Sequence, residues 1–160
     1  LAVELQKMQE TTAAAEMASQ SVLASDTSLA LNSRHLNFYK TRTRVMVTLS
    51  ALDPSYLEFA KEATKQAIIL SPTDPKLLFT LAVLEQNEGN FEEALELYSQ
   101  ATVLKPDYER AYWKIAEVYE LQEDYNQALA TYDFILEQIS PNNQELLEKK
   151  RAVEQQIEEK

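Results

Sequence analysis

Residues 75–108 read PKLLFTLAVLEQNEGNFEEALELYSQATVLKPDY, a stretch punctuated as two helices. Pro75 follows Asp74, the pairing of an N-cap acceptor with a first-turn proline. Apolar residues then recur at helical spacing as far as Asn87-Glu88-Gly89, where the chain's one glycine is free to take the left-handed conformation that ends a helix. Asn90 caps a second helix, and Pro106 stops it because proline cannot continue an α-helix. Two helices of about 12 to 14 residues, a common helix length, with two short turns fill the stretch.

The same spacing extends outward in both directions. Ala60, Ala94 and Ala128 are 34 residues apart, as are Pro72 and Pro106. Pro141 falls one residue beyond the next expected position. Ala67, Ala101 and Ile135 keep the period, as do Leu57, Phe91 and Tyr125, and Thr64, Tyr98 and Tyr132. A fixed period of this length is the mark of a stack of helical hairpins. Small side chains belong where two helix backbones approach closely, and the aromatic rings fill the space beside them.

At these residues the chain resembles the tetratricopeptide repeat. The best unit, 75–108, carries Leu78, Leu81-Ala82, Gly89-Asn90-Phe91, Ala94, Tyr98, Ala101 and Pro106. The next, 109–142, carries Tyr112, Ile115-Ala116, Tyr119, Tyr125, Ala128, Tyr132 and Pro141, with Glu123 in place of the turn glycine and Ile135 in place of the second small residue. A divergent unit, 41–74, keeps Ala60, Ala67 and Pro72 but has Thr48 where Ala82 and Ala116 recur. The resemblance implies a single all-α domain, a right-handed α-solenoid of about eight helices in antiparallel hairpins. It also implies a non-catalytic protein-binding scaffold whose first helices line a concave groove.

Flanking segments complete the stack. Residues 143–160 predict a closing helix from Gln144 to about Glu159, with Leu146, Leu147, Val153 and Ile157 on one face. Residues 1–40 predict a helix over 1–24, with Leu1, Leu5, Met8, Thr12, Ala15, Ser19 and Val22 on one stripe, packing on the open end of the first repeat. A loop over Ser25 to Ser33 follows, then a helix from about Arg34. The start at Leu1, without Met, reads as a fragment or processed product.

Charge bounds the partners. Residues 1–73 hold seven acids and seven bases, and 74–160 hold nineteen acids and eight bases, so the second half carries the whole net charge of −11. Such a surface repels phosphate backbones, which argues against nucleic acid. No apolar run reaches the roughly 18 residues of a membrane span. With no cysteine there is neither a disulfide framework nor a thiolate metal site, and the compartment stays open between cytoplasm and an extracytoplasmic space.

No catalytic constellation stands out, and no cofactor is expected. His35 is the one histidine, lies beside Arg34, and reads as a helix-start residue. Acidic pairs such as Glu92-Glu93 and Glu158-Glu159 read as solvated helix faces, and Asp53, Asp74 and Asp107, each beside a proline, as caps or turns. Tyr98, Tyr119, Tyr125 and Tyr132 read as core. The Arg34, Lys40, Arg42, Arg44 cluster reads as a solvated face, or as a surface near anionic headgroups if the parent protein is membrane-bound.

The predicted groove is the informative place. Arg42, Lys76 and Arg110 keep the period as a cationic ladder. Val45, Phe79 and Trp113 follow as an apolar ladder, and Leu49, Val83 and Glu117 extend it by a further turn. The pattern predicts a peptide site that takes acidic and apolar side chains. The alternative for Val45, Phe79 and Trp113 is packing between helices. Repeat proteins that clamp a C-terminal carboxylate resemble this class, but they place lysine and asparagine where this chain has Val45, Leu49, Phe79 and Val83, which argues against that clamp. Two further readings stand beside the scaffold. Asn37-Phe38-Tyr39-Lys40-Thr41-Arg42 and Leu70-Ser71-Pro72-Thr73-Asp74-Pro75-Lys76 resemble the soluble repeat region of bacterial O-antigen ligase or polymerase-type membrane proteins. That resemblance implies an accessory domain. The other reading is self-association through the groove or an uncapped end.

Overall fold

A computed structural model describes residues 2–158, with side chains described at 13 and 15–158. The contacts group the chain into two compact units, Leu1–Pro72 and Thr73–Lys160. Every regular element among the described residues is an α-helix. No helix among them is long and apolar enough to cross a membrane.

The first unit holds α1 (Ala2–Leu31), α2 (Leu36–Leu49) and α3 (Tyr56–Leu70), with α2 packed on both neighbours. Two expectations for α1 are corrected. The expected loop over Ser25 to Ser33 is shorter and later: helix continues to Leu31, and residues 32–35 link it to α2. Hydroxyls that give this stretch its loop-like composition bond back one turn, Thr27 to the Leu23 carbonyl and Ser28 to Ala24, as Ser21 does to Met17 before it, each at 2.8 Å. Back-bonded in this way, they satisfy themselves within a helix instead of competing with it. The buried stripe is also rotated. Ala15 and Ser19 are exposed, whereas Ala18 is buried and Val22, Ser25 and Leu29 are half-buried. Leu1, Leu5, Met8 and Thr12 of the expected stripe lie outside the described side chains. Arg42 of α2 donates to Ser25 Oγ at 3.0 Å and pairs with Asp26, which ties α1 to α2 through this face. His35 is the exposed N-cap residue of α2, stacked on Phe38 at 4.3 Å.

The second unit holds α4 (Pro75–Asn87), α5 (Phe91–Leu104), α6 (Glu109–Leu121), α7 (Tyr125–Gln138) and α8 (Gln144–Glu158), each packed on the next. Capping sets the boundaries. Asp74 Oδ1 accepts from the Lys76 N–H at 3.0 Å, with Pro75 in the first turn. Asp124 Oδ1 does the same for Gln127 at 3.2 Å. Gly89 turns the chain at φ +83°, and Glu123, 34 residues on, makes the same turn at φ +58°. The hydrogen bonds correspond: Asn90 N–H to the Glu85 carbonyl, and Asp124 N–H to the Tyr119 carbonyl, each at 2.9 Å. A Cβ on Gly89 would meet nothing within 4 Å, so substitution costs only the left-handed backbone. Gly89→Ala should therefore lower unfolding free energy by about 1 kcal/mol without altering helix content, as read by urea denaturation.

The expected crossings are present. Ala82, Ala94, Ala101, Ala116 and Ala128 have no exposed surface, and the Tyr98 and Tyr132 rings fill the space between helix pairs. Each tyrosine spends its hydroxyl across its hairpin. Tyr98 donates to Gln86 Oε1 at 2.7 Å, and Tyr132 donates to Glu120. Burial raises both phenols above their ordinary range, and the Glu120 carboxylate raises Tyr132 further, so both remain donors at neutral pH. α8 closes this end. Leu146 and Val153 are buried in a cluster with Ala116, Tyr132 and Ile135, while Ile157 stays exposed. Lys150 reaches Asp133 of α7 at 2.6 Å, and that hydrogen bond holds its ammonium above its ordinary range.

Candidate functional site

The nine residues of the predicted ladders fall in both units. Arg42, Val45 and Leu49 lie on α2. Arg42 is engaged by Ser25 and Asp26, Leu49 is buried and Val45 is half-buried. In the second unit, Lys76, Phe79 and Val83 lie on α4, and Arg110, Trp113 and Glu117 lie on α6.

Three of these six converge. Phe79, Arg110 and Trp113 line one cavity of about 260 Å³, together with Glu109, Lys114 and Glu145. Phe79 is held in place from both sides: its ring lies 5.5 Å from Tyr98 and 5.3 Å from Tyr108. It is 8% exposed, so most of the ring is packing and only an edge reaches the cavity. The Arg110 guanidinium sits over that ring at 5.2 Å from its centre. Such a contact is worth about 0.5–1 kcal/mol when exposed, enough to bias the orientation of the fork. Trp113 is half-buried, with its ring edge-on to Tyr132 at 6.4 Å. One side of the indole belongs to the core, and another lines the cavity.

The ionic groups differ in how far they are committed. Lys114 pairs with Glu117, one turn along α6. Glu109 Oε1 accepts from the Asn143 amide at 2.7 Å, and Asn143 Oδ1 in turn accepts from the Leu146 N–H at 3.1 Å. Among the described residues, Arg110 and Glu145 have no ion-pair partner. Arg110 therefore offers a planar donor fork, stacked on an aromatic ring and exposed to solvent. A fork of this kind matches a carboxylate bidentately. The cavity is smaller than the roughly 300–1,000 Å³ usual for small-molecule pockets, and better matched to one or two side chains.

Lys76, Val83 and Glu117 do not line this cavity, while Glu109, Lys114 and Glu145 do. The signal for Glu145 was the displaced proline. α6 starts 34 residues after α4, but α8 starts 35 after α6, so Glu145 takes in α8 the place of Arg110 in α6. A second depression, of about 370 Å³, lies on α5, α6 and α7, where Tyr112, Ile115, Tyr119, Thr131 and Phe134 line it. Tyr119 is thus half-buried at a surface, not core like Tyr98 and Tyr132. The Tyr112 and Phe134 rings, tilted at 44° with centres 4.8 Å apart, close part of it, and it contains no charged side chain. Among the described residues, no three His, Asp or Glu side chains converge as a metal site requires.

Residues 87–123 match the family model of the TPR repeat. No curated protein matches the chain in sequence. Among solved structures, a thermophilic TPR protein from Thermus thermophilus is similar at a TM-score of 0.69 and 23% identity, covering 90% of this chain and 76% of that one. MamA is similar at a TM-score of 0.67 and 17% identity, covering 82% and 74%. The first TPR of Spaghetti, bound to the HSP90 peptide SRMEEVD, is similar at 0.61 and 18% identity, covering 74% and 94%. The fold is that of the tetratricopeptide repeat.

Proposed function

We propose that this tetratricopeptide-repeat chain is a protein-binding scaffold whose second unit captures a peptide segment of a partner, seating a ligand carboxylate on Arg110 and an apolar side chain on Trp113. The observation that carries the reading is the Arg110 guanidinium, stacked on Phe79 beside a half-buried indole and without an ion-pair partner among the described residues. A guanidinium stacked in this way loses little freedom on pairing, and a neighbouring aromatic supplies apolar area, the combination that concentrates binding energy at protein interfaces. The fold neighbour that holds SRMEEVD adds support by analogy, since that peptide sets acidic residues on both sides of a valine. Here the positions that a terminal-carboxylate clamp would use carry Phe79 and Val83, so the cationic contact falls to Arg110 at the start of α6.

The test is calorimetric titration with blocked peptides that place one glutamate near one apolar residue. Trp113→Ala should weaken binding by about 2 kcal/mol, the threshold for an interface hot spot, while helicity by circular dichroism is kept. Loss of helicity would assign the whole indole to the core. Unchanged affinity would remove Trp113 from the site.

A further inference from the structure

We infer that this pocket takes a ligand segment bearing charges of opposite sign, with an acidic residue at the α4 side, an apolar residue at Trp113 and a basic residue at the α8 side. The inference rests on the peptide-binding reading above and adds the ligand's chemistry. Arg110 leans toward α4, since its guanidinium covers Phe79. Lys76, exposed one turn before Phe79 on α4, adds to the positive charge there. Glu109 turns the other way, fixed toward α8 by its bond to Asn143. Glu145, in the first turn of α8, adds a second carboxylate on that side. Lys114 does not upset this division, because Glu117 neutralises it.

The helix register makes the division systematic. Lys76, Arg110 and Glu145 are each the second residue of their helices, so equivalent positions run positive, positive, negative. The one-residue insertion before α8 brings Glu145 to this place. Across a half-desolvated site, unlike charges attract and like charges repel over the same few ångströms, so a pocket with two poles discriminates against a ligand of a single sign at one pole or the other.

Three blocked pentapeptides test this by Trp113 emission and calorimetry: acetyl-Glu-Gly-Phe-Gly-Lys-amide, and the versions with glutamate at both ends or lysine at both ends. The mixed peptide should bind at least tenfold more tightly than either single-sign peptide. Glu145→Lys, at an exposed position, should invert the ranking in favour of the glutamate-ended peptide with helicity unchanged. If wild type and Glu145→Lys rank the three alike, the two-pole inference is overturned, while the groove reading stands. If none of the three binds at millimolar concentration, the groove reading itself is overturned and the inference with it.

Discussion

Tyr132→Ala should lower the unfolding free energy of the second unit by about 4 kcal/mol, the range for removing a fully buried aromatic side chain. Tyr132 has no exposed surface, and its ring shares a cluster with Ala116, Ile135, Leu146 and Val153. Truncation opens a cavity where α6, α7 and α8 meet, and it removes the phenol that donates to Glu120. It also frees the Trp113 edge that rests on the ring. A loss of that size is a large share of the 5–15 kcal/mol typical of a whole domain. Urea denaturation followed by helical circular dichroism measures it. Tyr132→Phe separates the contributions, because it keeps the ring and should cost only about 1 kcal/mol for the hydrogen bond. A cost below about 1 kcal/mol for the alanine variant would mean that the ring does not hold the hairpin to α8.

Arg110→Glu should reduce affinity for a glutamate-bearing apolar peptide at least 100-fold and leave stability within about 1 kcal/mol of wild type. The substitution removes the donor fork and places a carboxylate where the ligand's carboxylate would sit, so lost attraction and new repulsion add. Stability is protected by position. Arg110 is exposed, and an acidic residue in the first turn of α6 is favourable toward the positive end of the helix dipole. Lys76→Glu is the matched control. Lys76 lies on the same charged edge but does not line the cavity, so its effect should be a few-fold at most and should fade with added salt. Equal losses for the two variants would mean that net charge, not the Arg110 fork, governs binding.

The 34-residue period made the helix boundaries and the alanine crossings legible, because both follow from local spacing. Gly89, Ala94, Tyr98 and Ala128 occupy the places the repeat demands. The period also placed Phe79, Arg110 and Trp113 on equivalent turns, and the fold brings them to one cavity. What escaped depends on contacts that spacing does not encode. The extension of α1 through Thr27 and Ser28 turns on hydroxyls that bond back to their own helix, which composition reads as loop. The engagement of Arg42 depends on Asp26, sixteen residues earlier on another helix and outside any periodic register. Glu145 was hidden by the extra residue before α8, since counting by 34 from Arg110 lands on Gln144 instead. Phe79 is more buried than Trp113 although the two share a register, because two rings, Tyr98 and Tyr108, flank the phenylalanine while the indole has one ring neighbour among the described residues, Tyr132, set near-perpendicular to it.

A ligand seated in the Phe79–Arg110–Trp113 cavity is reported directly by the single tryptophan of the chain. The measurement is Trp113 emission during titration with the blocked glutamate–phenylalanine–lysine peptide, alongside the same titration of Arg110→Glu. The expected result is a saturable emission shift in the wild type that disappears in the variant. Calorimetric binding with unchanged Trp113 emission would place the ligand elsewhere on the chain and contradict it.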